Sequence, residues 1–572
     1  MADRWRISID TGGTFTDCIA LHPSGEILRV KVLSNSRLRG KLIEKTAPRT
    51  YRFSHQWRIE KDIFKRYSFA LTQDFSGSQD FPGFINLESL NLKVESIDFQ
   101  QNLLRLSHDL PTAAIRFPYQ FEITANEEAP ILAARLATST PLDEPLPPLE
   151  MRLGTTKGTN ALLEKKGAAC ILLITKGFGD LLAIGTQQRP HLFQLNIPEP
   201  ELLCTQVIEV SERLDAQGEV IQPLTEKELK RLVLKVKKSG ANSVAVALLH
   251  AWRNPVHELK IRDALQAAGI RFVSLSHALM PAIKILPRAQ TALVDAYLTP
   301  VLHEYLENIS ASLHAGHSGN PLKIMSSAGG LVDAARFSPK DSLLSGPAGG
   351  VVGMAAIAQS LGFQKVIGFD MGGTSTDVAL LQSGEPRLAS ESIVHGYPIK
   401  APMLDIHTVG AGGGSIAFVD SGGLLKVGPR SCGADPGPVC YDRGSTEPAV
   451  TDANVMLRTL HPTHLLDGRM PIRRDLSVKA IGTLAQRLGM DTMATAQGII
   501  SVVTANMAKA IRVISVQRGH DPRDYTLVAF GGAGPLHAAR LARELEIRRV
   551  LVPRNPGILC VMGLLLTDLR AD

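Results

Sequence analysis

Short apolar-rich runs separated by glycine turns set the pattern of this chain. Trp5–Ile9 and Cys18–Leu21 flank one such turn, and Val366–Phe369 and Val378–Leu381 flank another. Brief apolar runs bounded by Gly and Asp read as strands, so each unit predicts a tight hairpin. Between the two units, Ala169–Thr175 and Ser243–Leu249 have the pattern of buried strands. Thr225 followed by Glu228 predicts a helix opened by a capping box, which ends before Gly240. Asn254, Pro255 and Gly269 frame another helix, and residues 289–313 read as one long helix bridging two lobes. Further on, Thr526–Phe530 is a strand, Gly531–Pro535 a turn and Leu536–Leu545 a helix. Strands alternating with helices predict an α/β fold whose sheets are covered on both faces. Residues 35–150 break this rhythm. They are aromatic-rich, carry short alternating runs at 90–99 and 103–106, and end in a proline-rich stretch over 141–148. They predict an inserted β-rich unit with a linker.

The two glycine turns are copies of one another. Residues 10–17 read Asp-Thr-Gly-Gly-Thr-Phe-Thr-Asp and residues 370–377 read Asp-Met-Gly-Gly-Thr-Ser-Thr-Asp, identical at six of eight positions. Recurrence in the same strand–turn–strand setting points to two related lobes. The chemistry suits a nucleotide. Gly12, Gly13, Gly372 and Gly373 expose backbone N–H groups to phosphate oxygens, and Thr14, Thr16, Thr374 and Thr376 add hydroxyl donors. Asp10, Asp17, Asp370 and Asp377 cannot face phosphate directly, so Mg²⁺ or its water shell must intervene. Asp10 and Asp370 are the candidate catalytic residues, and through Mg·ATP the candidate metal ligands. Gly531, Gly532 and Gly534, between a strand and a helix, suit close approach to an adenine or ribose. No Walker-type loop and no dinucleotide fingerprint occurs, since Gly410–Gly414 lacks the spacing.

Composition changes this picture little. A chain of 572 residues exceeds the ~250–300 residues of one core, so several domains are expected. Six scattered cysteines fit a reducing compartment, and the longest apolar runs fall short of the ~20 residues that span a bilayer. A soluble cytoplasmic protein that binds neither membrane nor nucleic acid is expected. The net charge of +7 resides in residues 36–67, where ten Lys/Arg meet three Asp/Glu. Tyr51, Phe53, Trp57, Phe64 and Tyr67 interleave with these charges, as in an RNA-gripping surface, but a solvated basic face on the inserted unit is the simpler reading. Asp405 and His407 are two potential metal ligands, too few for a site, and Cys432 and Cys440 lack zinc spacing. His537 reads as packing at a helix start.

The order of loops, two phosphate hairpins and then an adenosine turn, resembles the actin/Hsp70/sugar-kinase ATPase superfamily. The wording is narrower. Asp10–Asp17, Gly154-Thr-Thr-Lys-Gly-Thr-Asn-Ala-Leu-Leu-Glu164, Ser345-Gly-Pro-Ala-Gly-Gly-Val-Val-Gly353, Asp370–Asp377, Asp405–Ser415 and Phe530-Gly-Gly-Ala-Gly-Pro535 resemble the hydantoinase A/5-oxoprolinase family over residues 1–34 and 150–572. Thr175–Leu182 and Leu286-Pro-Arg288 are similar as well. The resemblance implies two actin-like lobes with duplicated ribonuclease H-like cores. Residues 1–34 would start lobe I, 35–150 the insertion, 151–365 the rest of the N-terminal and substrate-side region, and 366–572 lobe II. It also implies ATP and Mg²⁺ as cofactors, with Thr155, Thr156, Thr159 and Asn160 towards the substrate. The implied reaction is ATP-dependent opening of a small cyclic amide, as in conversion of 5-oxo-L-proline to L-glutamate. It would run in an oligomer with a hydantoinase B-type subunit, which this chain lacks. An ATP-dependent ketone carboxylase subunit and a truncated, non-catalytic ATP-binding module are the alternatives.

Overall fold

The computed structural model describes residues 4–567 apart from 56, 58, 60, 73–90, 111–116, 189–192, 194, 197–199, 318, 466, 467 and 469. The chain opens with a three-strand meander, β1 (Trp5–Thr11), β2 (Phe15–Leu21) and β3 (Ile27–Leu33). An antiparallel six-stranded sheet follows, made of β4 (Leu38–Ala47), β5 (Thr50–His55), β6 (Ser68–Leu71), β7 (Val94–Asp98), β8 (Leu103–Leu106) and β9 (Tyr119–Thr124). Leu90, where an alternating run was expected to begin, lies outside the described residues. The aromatics of the basic segment turn inward. Tyr51, Phe64 and Tyr67 are fully buried, Phe53 nearly so, and the indole of Trp57 donates to the Arg39 carbonyl at 2.9 Å. Burial removes them as base-stacking platforms, so the RNA-like pattern is the core of a β sheet with its charges outside.

The boundary expected at 150 falls earlier. Helix α1 (Ala129–Thr138) already packs on β2 and β3, and β10 (Leu149–Thr155) runs parallel to β1 in the first sheet. The proline-rich stretch therefore leads back into lobe I rather than linking two bodies. One apolar core joins Ile7 and Ile9 of β1, Ile131 and Leu132 of α1, and the aromatics of the insertion.

After α2 (Lys157–Leu163) comes a parallel four-stranded unit, ordered β12 (Gln206–Val210), β11 (Cys170–Thr175), β13 (Ser243–Ala247) and β14 (Phe272–Leu275). Helices α3 (Glu226–Ser239) and α4 (Val256–Ala267) belong to it, and α5 (Ile285–His314) leads out. Thr225 caps α3 through the Glu228 amide at 3.3 Å, and Gly240 ends it at φ +73°. The capping box is only half formed, because the Glu228 carboxylate accepts from the Ser211 amide and from Arg231 instead.

β15 (Leu322–Met325) and β16 (Leu331–Asp333) complete the first sheet, and α6 (Ser345–Ser360) crosses to the second lobe. There β17 (Val366–Met371), β18 (Thr376–Gln382) and β19 (Ile406–Val409) form a second meander. The helix α7 (Thr492–Ile514), strand β20 (Thr526–Phe530), helix α8 (Gly534–Glu544), strand β21 (Arg549–Leu551) and helix α9 (Leu559–Leu566) follow. The two sheets repeat one topology. β3-β2-β1-β10-β15 and β19-β18-β17-β20-β21 each place an antiparallel meander beside two parallel strands. The stretch 492–518 is long and apolar enough to cross a membrane, but Ile499, Val503, Met507 and Ile511 lie in the lobe II core.

Helices α6 and α9 lie between the two sheets, with α6 against strands of both and α9 against β1, β2 and β10. They touch backbone to backbone. A Cβ on Gly563 would stand 1.8 Å from the Gly349 carbonyl oxygen, and one on Gly353 would stand 2.7 Å from that of Leu559. Arg152 of β10 donates to the carbonyls of Leu564, Leu565 and Thr567 at 3.0–3.2 Å, which ties the end of α9 to lobe I.

Candidate functional site

Both glycine hairpins are built the same way. In lobe I the Gly12 amide donates to the Phe15 carbonyl at 3.0 Å, and in lobe II the Gly372 amide donates to the Ser375 carbonyl at 3.0 Å. Asp10 faces Asp17 across one hairpin and Asp370 faces Asp377 across the other. The amides of Gly13, Thr14, Gly373 and Thr374 have no protein partner among the described residues, and neither do the hydroxyls of Thr14 and Thr374. These groups lie on exposed or half-buried turns. A Cβ on Gly373 or Gly532 would meet nothing within 4 Å.

Thr16 and Thr376, expected to face a ligand, do not. Both are fully buried. Thr16 hydrogen-bonds Ser34 at 3.1 Å, and Thr376 donates to the Ala411 carbonyl at 2.5 Å. The side-chain alternation of a strand turns every second residue inward, so these hydroxyls brace the hairpins. Each hairpin also has its own support. Ser34 donates to the Gly12 carbonyl at 2.7 Å, while Gly413 and Gly414 donate to the carbonyls of Gly372 and Gly373 at 3.1 and 2.6 Å. The glycine run 410–414 thus presses on the second hairpin, and Ser34 was not visible as a candidate at all.

The turns that follow the fourth strands are topological counterparts. The Thr156 amide donates to the Thr11 carbonyl at 2.9 Å, and the Ala533 amide donates to the Met371 carbonyl at 2.9 Å. In lobe I this places Asn160 beside the first hairpin, 3.4 Å from where a Cβ on Gly13 would lie. Of the four expected substrate residues, Thr155 is buried and accepts from the Lys157 amide, and Thr159 donates to the Leu343 carbonyl at 2.5 Å. Both hold α2 in place. Thr156 and Asn160 remain partly exposed and are joined by a 3.2 Å hydrogen bond. In lobe II, Gly531 at φ +81° lets the chain pass Asp370, since a Cβ there would stand 2.2 Å from the Asp370 Oδ1. Gly534 packs under the Phe369 carbonyl, which leaves Gly532 as the glycine of this turn that faces open space.

Asp10 and Asp370 close their strands rather than riding exposed turns. Burial pushes the Asp10 carboxyl up to about 7, reinforced by Asp17 and opposed by Lys31. Burial likewise pushes Asp370 up to about 7, with Asp377 and Asp10 adding repulsion and the Cys560 thiol opposing it. Asp377 rises to about 6 through burial, opposed by the Thr408 hydroxyl at 2.5 Å. The lobes therefore bring Asp10 within electrostatic reach of Asp370. Asp17 differs from its twin, because Lys31 donates to both its oxygens at 2.7 Å. Cys560, on α9, donates to Asp370 at 3.4 Å. The Oδ1 of Asp10 is buried without a partner among the described residues.

Other candidates fall away. Asp405 is held by Arg518, with Arg387 at 3.7 Å. The described residues contain no group of three or more His, Cys, Asp and Glu able to hold a metal. Cys432 and Cys440 are free thiols. His537 is buried against Asn454 at 3.3 Å, and burial lowers it to about 4.

Two lobes of one topology, each with its glycine hairpin and with α6 and α9 packed between their sheets, place the protein in the two-lobed actin-like ATPase class. Comparison with known sequences narrows this. The hydantoinase/oxoprolinase N-terminal region matches residues 120–269, and hydantoinase/oxoprolinase matches 288–572. The chain belongs to the hydantoinase/oxoprolinase family. It is 40% identical over 459 residues to 5-oxoprolinase 1 of Arabidopsis thaliana, a match covering 74% of this chain and 36% of that protein. It is 37% identical over 427 residues to the caprolactamase subunit alpha of Pseudomonas jessenii, covering 73% and 61%. The crystal structure of the ATP-dependent caprolactamase from that organism superposes with a TM-score of 0.68 at 30% identity, covering 99% of this chain and 71% of that one. The chain thus spans about a third to two thirds of the length of these curated relatives.

Proposed function

We propose that this chain is the ATP-using part of an enzyme that opens cyclic amides, with 5-oxo-L-proline to L-glutamate as the working reaction. The observation that carries the reading is the pair of matching hairpins, each with free amide donors and with Asp10 or Asp370 at its foot, the two carboxyls within electrostatic reach of one another. The site fits Mg·ATP. The unpartnered Asp10 Oδ1 and the raised carboxyls of Asp10 and Asp370 suit a divalent cation, which would restore their charged forms. The amides of Gly13, Thr14, Gly373 and Thr374 suit phosphate oxygens, and the space over Gly532 suits a nucleoside. Thr156 and Asn160, beside the first hairpin, are the residues of their segment placed to meet an amide. ATP supplies a phosphoryl group for the ring carbonyl oxygen, which makes a poor electrophile open to attack. Water activation is assigned to a hydantoinase B-type partner, a reading supported by the relative named as the alpha subunit of caprolactamase. The six free thiols support a reducing, cytoplasmic setting.

The test mixes purified chain with ATP, magnesium and 5-oxoproline and follows phosphate and glutamate release, with and without a B-type subunit. Glutamate is expected only with the partner. Glutamate from the isolated chain would refute the split site. Carboxylation of a ketone in place of ring opening would move the protein to the carboxylase reading.

A further inference from the structure

Residues 36–67 of the inserted unit carry ten Lys/Arg against three Asp/Glu, and the proposed reaction uses none of them. Residues 38–119 lie outside both matched family stretches. Their charges are not evenly paired. Arg37 and Arg39 meet Glu122, Lys45 meets Asp109, and Arg52 meets Glu44. On another part of the sheet, a groove of about 540 Å³ is lined by Lys65, Arg66, Lys93, Glu95, Ser96 and Arg105. Its one carboxylate is already held from two sides, by Arg49 and Arg105 at 3.0 Å each. Lys93 donates to Ser68 at 2.9 Å, and Lys65 and Arg66 have no acidic partner among the described residues.

The backbone adds a second observation. Arg66 has φ +72° and Arg49 has φ +59°. Left-handed backbone costs a non-glycine residue on the order of 1 kcal/mol and is rarely given to arginine. Arg66 lines the groove, and Arg49 reaches it through Glu95.

We propose that this groove binds a multiply phosphorylated ligand, with successive phosphates on Lys65, Arg66, Lys93 and Arg105. Lysine ammoniums and arginine forks match phosphate oxygens, and a shallow, open depression lets linked phosphates lie along it. Base stacking plays no part, since Tyr51, Phe53, Phe64 and Tyr67 are buried. The shared chemistry is consecutive phosphate, which a free polyphosphate or a nucleic-acid backbone supplies.

The full-length chain is titrated with inorganic tripolyphosphate by calorimetry and with a labelled oligothymidylate by anisotropy. The comparison is with the K65A/R66A double variant, so binding at the glycine hairpins cancels. At least one probe is expected to bind the wild type roughly tenfold more tightly, with a steeper salt dependence. The probe that does so identifies the source. R66G should lose affinity while keeping or raising thermal stability, because glycine accepts φ +72° freely. Equal binding of both probes to wild type and double variant would overturn the proposal. So would polyglutamate competing as well as the phosphates do.

Discussion

Replacing Asp370 by asparagine should make the ligand-free protein more stable at pH 8 while abolishing its response to Mg·ATP. Its carboxyl is pushed up to about 7 in the fold, against ~3.9 in an unfolded chain. The folded state therefore binds more protons between pH 4 and pH 7, and stability falls as pH rises through that window. At ~1.4 kcal/mol per unit, ionising Asp370 costs at most ~4 kcal/mol at pH 8 and under ~1 kcal/mol at pH 4. Asp370 is partly exposed to the cleft, and solvent screening brings the expected gain for D370N to ~1–2 kcal/mol at pH 8. That corresponds to a rise of roughly 2–8 °C in the melting of lobe II. Mg·ATP at a hundred times its Kd should add ~2.7 kcal/mol to the wild type and almost nothing to D370N. The assay is thermal unfolding at pH 4.5 and pH 8, with magnesium alone and with Mg·ATP. A variant no more stable than wild type at pH 8, or a gain equal at both pH values, would refute the buried-charge argument. A full Mg·ATP shift in D370N would refute the role of Asp370.

Gly531→Ala should disturb the site without touching a ligand. Positive φ and a Cβ 2.2 Å from the Asp370 Oδ1 make it cost ~1–3 kcal/mol and displace the carboxylate, read as lost stability and lost ATP hydrolysis together. Gly563→Ala forces a methyl into the Gly349 carbonyl, so the α6–α9 layer should open at a cost of ~3 kcal/mol, seen as faster amide exchange in both helices. Arg152→Met leaves the end of α9 without its charged donor and should cost ~1–2 kcal/mol, with β10 otherwise intact by the same exchange measurement.

Much of the fold was legible locally. Glycine hairpins, buried strand runs and capped helices are written within a few residues of one another, and Thr526–Phe530 and Leu103–Leu106 emerge with the same ends. The duplication was legible for the same reason, since its sign is one octapeptide repeated. Which of those residues face the cleft was not. Thr14 and Thr16 look equivalent in the sequence, yet strand alternation and a neighbour 18 residues away turn Thr16 inward. The braces were also hidden. Gly414 reaches Gly373, and Cys560 reaches Asp370 across 190 positions. The raised carboxyls follow mainly from the same cause, for burial, the largest influence on both, comes with packing, while the repulsion from Asp17 and Asp377 is local to each hairpin. Hydrophobic period and turn chemistry are properties of neighbours along the chain and so appear in the sequence. Distance between lobes, and the desolvation it brings, is a property of packing and belongs to the tertiary structure alone.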